Sequence, residues 1–113
     1  MADQTASRIT FHPHNRRVRV HHGDILIADT RNAIELREHC YPHRQYVPQA
    51  VVDMSKLSVS STMTPCPFKG DTTYYSLSDI ADVAWSYERP IDEMQAIAGR
   101  LAFDASKVTE QVE

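Results

Sequence analysis

The stretch Thr64-Pro65-Cys66-Pro67-Phe68-Lys69-Gly70 places a thiol, an ammonium group, two prolines and a glycine close together along the chain. Prolines flank Cys66 on both sides, and proline lacks the backbone N–H that a helix interior or a central strand requires. The closing glycine permits backbone conformations that other residues disfavour. The stretch therefore predicts an irregular turn between a strand at residues 57–62 and a strand at Thr72–Leu77.

Toward the N-terminus the sequence predicts three consecutive β-strands. Arg17-Val18-Arg19-Val20 alternates, so the valines face a core while the arginines face water. A hairpin turn is predicted at Gly23-Asp24, and the continuously apolar Ile25-Leu26-Ile27-Ala28 that follows predicts a strand buried on both faces. Residues 33–37 alternate again after a polar turn at residues 29–32. The three strands together predict an antiparallel meander.

Two further short strands are predicted near the ends of the chain. Residues 9–12 are predicted to form a strand that ends at Pro13, because proline cannot donate to a β-ladder. Leu101 and Phe103 alternate with smaller residues and predict the last strand.

Helical structure is predicted to be scarce. Pro48 and Pro90 each begin a short helical turn, since a missing N–H costs nothing in a first turn. The fold class is therefore mainly β, with small antiparallel sheets and one or two short helical turns. Residues 1–113 are predicted to form a single domain, with residues 1–7 flexible.

Composition and charge exclude several classes of protein. Hydrophobic residues make up 42% of the chain and charged residues 24%, as is typical of a globular domain. The net charge of -3 argues against a dedicated nucleic-acid binder. No apolar run is long enough for a signal peptide or a membrane span, so we expect a cytoplasmic protein. In that compartment Cys40 and Cys66 are expected to be reduced thiols.

Cys66 and Lys69 are the candidate catalytic residues. A nearby ammonium group or free backbone N–H lowers the pKa of a thiol and so favours the reactive thiolate. The turn bounded by Thr64 and Gly70 can also direct several N–H groups at one anion. The alternative is an inert cysteine, because free cysteine is among the most buried residue types. The sequence leaves both interpretations open.

Aromatic and basic residues supply further candidates for ligand binding. Tyr74, Trp85 and Tyr87 can line a pocket, although Trp85 shares a strand face with apolar residues and can equally belong to the core. Arg17 and Arg19 can hold a phosphate or carboxylate group, or can simply lie on a solvated strand face.

No cofactor or metal is predicted. In the segment His39-Cys40-Tyr41-Pro42-His43, Cys40 and His43 can supply half of a zinc site. A structural zinc site needs four ligands, and no second pair follows at a suitable spacing. The segment is therefore interpreted as a solvated loop.

Several of these motifs together resemble the bacterial domain of unknown function 427 family. The resemblance is carried, in chain order, by Arg17-Val18-Arg19-Val20, Tyr46-Val47-Pro48, Cys66-Pro67-Phe68-Lys69-Gly70 with Tyr74, and Ala84-Trp85-Ser86-Tyr87 with Pro90. It implies two splayed antiparallel sheets, a tent-like fold similar to those of Mss4-like proteins and methionine sulfoxide reductase B. It implies no established activity. The Gly-Trp-Pro-Ser-Phe signature of methionine sulfoxide reductase B is absent, so that activity is not expected.

The sequence leaves three functions open. The first is a binding module that holds a small anionic molecule in a cleft near Cys66 and Lys69. The second is a thiol-dependent enzyme with Cys66 as the nucleophile, which would also require a general base. The third is a structural or protein-interaction domain without a small-molecule site. Neither a nucleic acid nor a membrane is expected as a partner, and the choice between monomer and homodimer stays open.

Overall fold

The structure is a computed structural model, and it describes residues 9–39, 41–64 and 71–113. These residues contain ten β-strands, which are β1 (Ile9–His14), β2 (Val18–His22), β3 (Ile25–Thr30), β4 (Ala33–Glu38), β5 (Arg44–Tyr46), β6 (Leu57–Thr64), β7 (Thr72–Leu77), β8 (Ile80–Ser86), β9 (Leu101–Phe103) and β10 (Thr109–Val112).

All the strand pairs are antiparallel, and they form three small sheets within the described part of the chain. Sheet A has the strand order β1-β4-β5, sheet B has the order β10-β2-β3, and sheet C has the order β6-β7-β8-β9. The mainly β, antiparallel class predicted from the sequence is confirmed. The expectation of two sheets is corrected to three, because the strands that precede and follow residues 31–32 separate into different sheets.

The hairpin of β2 and β3 confirms the strongest local prediction. Gly23 adopts a positive φ of 58° in the connecting turn, a conformation that glycine tolerates best. Val18 and Val20 are fully buried, as the alternation in β2 predicts.

The prediction that β3 is buried on both faces is wrong for its first half. Ile25 is 38% exposed and Leu26 is 50% exposed, whereas the next two residues are buried. The pairing of β2 with β3 shifts register between Val20 and His21, and such a bulge bends and twists a hairpin. Because β3 also lies at the edge of sheet B, the bent end of the hairpin leaves the core.

The predicted meander of β2, β3 and β4 is also wrong. The strand β4 pairs with β1 and β5, so the chain passes from sheet B to sheet A after β3. Side chains hold this corner: the N–H of Asn32 donates to Thr30 Oγ1 at 3.0 Å, and Arg100 Nη1 donates to the carbonyl of Asn32 at 2.8 Å. Sequence alternation locates strands but does not show this change of sheet.

Two predicted boundaries need correction. Pro13 lies inside β1 rather than after it, opposite Ile34 of β4. Proline is tolerated there because β1 is the edge strand of sheet A. The strand β9 is not the last one, since β10 follows it and pairs with β2.

Two of the three helical turns described lie where Pro48 and Pro90 predict them, and the turn at Met54–Lys56 is additional to the one or two predicted. Pro48 precedes a 3₁₀ turn at Gln49–Val51, a second 3₁₀ turn spans Met54–Lys56, and a third follows Pro90 at Asp92–Ile97. None of the helical segments described is long and apolar enough to cross a membrane.

The buried residues form two hydrophobic clusters, and sheet C contributes to both. Ala84 and Phe103 belong to the cluster shared with sheet B, whereas Ala102 belongs to the cluster shared with sheet A, and Trp85 packs against it. Successive residues of a strand point to opposite faces. Strands β8 and β9 therefore lie between the two other sheets and pack against one on each face.

Glu35 is a buried carboxylate in the middle of β4. Its neighbours Ile34 and Leu36 belong to the cluster of sheet A, so alternation places Glu35 on the opposite face of the sheet. Arg37 Nε donates to Glu35 Oε2 at 2.5 Å, and Gln45 Nε2 donates to Oε1 at 2.8 Å. Burial acts to raise the pKa of Glu35, but these hydrogen bonds outweigh it and hold the pKa below its ordinary value.

We predict that Glu35→Gln lowers the free energy of unfolding at neutral pH by about 1–3 kcal/mol, because it weakens the hydrogen bonds that the ionised carboxylate accepts. A carboxyl whose pKa is lowered in the folded state stabilises the fold above its unfolded pKa of about 4.3, and this stabilisation is lost as the pH falls through the folded value. Urea unfolding at a series of pH values measures the difference from wild type, which should shrink below about pH 4.

Glu113→Gln is the matched control. Glu113 Oε2 accepts a hydrogen bond from Arg19 at 3.3 Å, but both side chains are exposed, so its removal should cost about 0–1 kcal/mol. A Glu35→Gln protein as stable as wild type at neutral pH, or equally destabilised at all pH values, contradicts the prediction.

Candidate functional site

A pocket of about 350 Å³ lies at the end of sheet C where β7 begins and β8 ends. Among the described residues it is lined by Asp71, Thr73, Glu88 and Arg89. Asp71 directly precedes β7 and directly follows Gly70 in the sequence. The pocket therefore adjoins the point where the segment that contains Cys66 and Lys69 enters sheet C.

Strand pairing explains why these residues meet. Thr73 of β7 lies opposite Ser86 of β8, so residues 71 and 88 extend from the same end of the paired strands. Ser86 is fully buried, and its Oγ donates to Glu88 Oε2 at 2.6 Å. This hydrogen bond positions the Glu88 carboxylate at the pocket, because the Ser86 hydroxyl that donates it is buried in the core.

The pocket carries two charged side chains that have no partner among the described residues. Within the described residues, neither Asp71 nor Arg89 forms an ion pair or a side-chain hydrogen bond. A guanidinium group presents five donors in a fixed fork, whereas a carboxylate only accepts. The pocket can therefore offer donors to an anionic group and acceptors to hydroxyl or amino groups at the same time.

The central predicted residues Cys66, Lys69 and Gly70 lie outside the described residues. Thr64 is the last residue of β6, and its backbone pairs with Thr72 at the start of β7. The strand predicted at residues 57–62 extends to Thr64, and β7 spans Thr72–Leu77 as predicted, whereas the predicted turn itself lies outside the described residues. The roles proposed for the thiol and the ammonium group stay predictions.

Three of the predicted aromatic residues lie on one side of sheet C. Tyr74 lies opposite Trp85 across β7 and β8, and Tyr87 follows Trp85 by two residues. Tyr87 is buried, whereas Tyr74 and Trp85 are half-buried. Because residues opposite each other and two apart share a face, this side of the sheet is aromatic. Thr73 and Ser86 alternate with these residues, so they share the other face.

The aromatic face packs against two residues of β5 that the sequence analysis did not select. Trp85 Nε1 donates to Tyr46 Oη at 3.0 Å, and the rings of Tyr46 and Tyr87 lie 6.4 Å apart. The guanidinium carbon of Arg44 lies 5.0 Å from the centre of the Trp85 ring, a cation–π contact. Burial raises the pKa of Tyr46 above its ordinary range, so the hydroxyl stays protonated. These contacts make the aromatic face an interface between sheets A and C.

The predicted arginines are paired with carboxylates of the same chain. Arg17 Nε and Nη2 donate to the two oxygens of Asp29 at 2.9 and 2.7 Å. The hydrogen bond from Arg17 lowers the pKa of Asp29, which therefore stays ionised at neutral pH. Arg19 contacts Glu113 at the end of the chain. The structure thus brings Arg17 and Arg19 to the outer face of sheet B, in a different sheet from the pocket.

The sequence contained a signal for the pocket that its analysis did not use. Asp71 adjoins the Cys66–Gly70 motif, and Glu88 and Arg89 directly follow the Ala84–Tyr87 motif. That Asp71 lines the same pocket as Glu88 and Arg89 depends on the register of β7 with β8, which single-sequence alternation does not define. The described residues contain no group of three or more histidine, cysteine, aspartate or glutamate side chains arranged to hold a metal ion.

Comparison with known families identifies the class of protein. The family described as "Domain of unknown function (DUF427)" matches residues 10–113, and the chain belongs to this family. The family resemblance found in the sequence motifs is therefore confirmed. No curated protein matches the chain.

We predict that Tyr46→Phe lowers the free energy of unfolding by about 0.5–1.5 kcal/mol, because the indole N–H of Trp85 loses its acceptor. Trp85 is the only tryptophan, so its fluorescence reports on this contact directly. We expect a changed emission spectrum in the folded state as well as a lower midpoint of urea unfolding. Tyr41→Phe is the control, since Tyr41 is an exposed tyrosine. Equal stability and emission in the two variants would refute the role of this hydrogen bond.

Proposed function

We propose that this protein is a binding module for a small polar molecule that carries an anionic group. The observation that supports the proposal most is the pocket at the end of β7 and β8, with Arg89 and Asp71 unpaired within the described chain. Its volume of about 350 Å³ falls within the range of small-molecule sites.

Arg89 is the group that would bind the anion. A guanidinium group binds phosphate or carboxylate through two parallel hydrogen bonds. Lys69 lies only two residues before Asp71, so it can supply a second positive charge at the same end of sheet C. Backbone N–H groups of a turn that ends in Gly70 would add neutral donors.

The two carboxylates of the pocket narrow the class of ligand. Asp71 and Glu88 repel an anion that has no other polar groups, but they accept hydrogen bonds from hydroxyl or amino groups. Glu88 is held in place by Ser86, so this acceptor is preorganised. We therefore propose a hydroxylated or amino-substituted phosphate or carboxylate as the ligand.

The thiol-dependent enzyme is the alternative proposal. Its support is that two carboxylates, Asp71 and Glu88, line a pocket next to the segment that contains Cys66, and a carboxylate can act as a general base. A reducing cytoplasm, the proposed location, would keep Cys66 available as a thiol. An interaction domain without a ligand is the third proposal.

Glycerol 3-phosphate tests the binding module, because it combines one phosphate with two hydroxyl groups. A titration followed by ¹H–¹⁵N NMR should shift the amide resonances of residues 71, 73, 88 and 89 in a saturable manner. Arg89→Gln should weaken the binding about tenfold, because it removes a charge-assisted hydrogen-bond pair. Arg31→Gln is the control, since Arg31 is an exposed arginine in the connection between β3 and β4.

The outcomes separate the proposals. Saturable binding that is weakened by Arg89→Gln and retained in Cys66→Ser supports a binding module. Binding that is lost in Cys66→Ser favours thiol chemistry at the pocket. Absence of any shift in the pocket resonances, or equal affinity in Arg89→Gln and Arg31→Gln, contradicts the binding module proposed.

A further inference from the structure

The face of sheet A that points away from the hydrophobic core presents two donor side chains next to each other. In the register of β4 with β5, Leu36 lies opposite Arg44, and Arg37 and His43 are the next residues along the two chain segments. Both contact the same carboxylate oxygen: Glu35 Oε2 lies 2.5 Å from Arg37 Nε and 3.5 Å from His43 Nδ1. A single buried oxygen therefore orients a guanidinium group and an imidazole ring.

A chain of hydrogen bonds gives Glu35 one orientation. The backbone N–H of Arg16 donates to His14 Nδ1 at 3.2 Å, so this nitrogen carries no proton. The proton of the neutral ring is then on Nε2, which donates to Gln45 Oε1 at 2.7 Å. The amide nitrogen of Gln45 is thereby turned toward Glu35 and donates to its Oε1 at 2.8 Å. The other oxygen, Oε2, faces Arg37 and His43.

The outer donors of this pair are free to bind a ligand. Glu35 engages one nitrogen of Arg37 and one nitrogen of His43, which leaves the terminal guanidinium nitrogens and Nε2 of the imidazole. The side chains are 49% and 56% exposed, and within the described residues no second carboxylate pairs with either of them. The arrangement has a buried acceptor on one side and several exposed donors on the other.

We propose that Arg37 and His43 form a second anion site, which binds inorganic phosphate or the phosphate group of a small monoester. Arg37 Nε and His43 Nδ1 both lie within 3.5 Å of Glu35 Oε2, so the two side chains are close enough for the oxygens of one tetrahedral phosphate to reach both. A carboxylate would be satisfied by the arginine fork alone, whereas phosphate uses both groups. This site lies on sheet A and does not depend on the pocket of sheet C.

The effect of replacing Glu35 distinguishes a preorganised anion site from non-specific electrostatic attraction of an anion. If the site only collected positive charge, removal of the negative charge of Glu35 would strengthen the binding of an anion. If Glu35 orients the two donors, its replacement weakens the binding although the net charge becomes more positive. Glu35 is thus a positioning residue that does not itself contact the phosphate.

The test is an NMR titration of the full chain with sodium phosphate at constant ionic strength and constant pH. The carbon-bound imidazole protons of His43 are the readout. They should shift in a saturable manner, and Arg37→Gln should weaken the binding about tenfold. Glu35→Gln should weaken it as well. His43→Asn, observed through the side-chain Nε–H of Arg37, keeps the test valid if one variant fails to fold.

Arg89→Gln is the control that separates this site from the pocket, and it should leave the phosphate affinity at His43 unchanged. A parallel titration with glycerol 3-phosphate shows whether the site binds a monoester as well as free phosphate, since the His43 resonances report this site alone. Three results would each overturn the proposal: no saturable shift of His43, an unchanged affinity in Arg37→Gln, or a tighter binding in Glu35→Gln.

Discussion

A β-bridge between Val47 and Leu101 connects sheet A with sheet C, and the packing between these two sheets depends on it. The two residues exchange both backbone hydrogen bonds, at 2.9 and 3.0 Å, and both are fully buried. Val47 follows β5 of sheet A, and Leu101 begins β9 of sheet C. Because a buried backbone group without a partner is costly, the bridge fixes the distance between the sheets and their relative register.

The bridge has consequences for the residues on either side of it. Tyr46 precedes Val47, and its hydroxyl accepts from Trp85, whose cross-strand partner Ala102 follows Leu101. The indole N–H of Trp85 and the hydroxyl of Tyr46 are thereby paired within the interface between sheets A and C. The pocket of Arg89 lies at one end of sheet C, and the donor pair of Arg37 and His43 lies on the outer face of sheet A. Both candidate sites therefore lie on sheets whose relative position is fixed by the buried contacts between them.

Local structure was largely predictable from the sequence, whereas the partners of each strand were not. The alternation of Val18 and Val20, the glycine turn at Gly23 and the prolines that precede 3₁₀ turns each reflect a local constraint. The separation of β3 from β4 reflects tertiary packing, which outweighs the hairpin preference of a short polar connection. For the same reason the sequence does not show that Asp71 and Glu88 line one pocket, because this depends on the register of β7 with β8.

Amide hydrogen exchange measured by NMR tests the central role of the bridge most directly. If the bridge joins the sheets throughout the folded state, the amides of Val47 and Leu101 open only by global unfolding, so their exchange is among the slowest of the chain. Their exchange should then become faster as urea lowers the free energy of unfolding. Exchange of these two amides as fast as that of Asp24 in the exposed hairpin turn would contradict the account, because the sheets would then separate without unfolding.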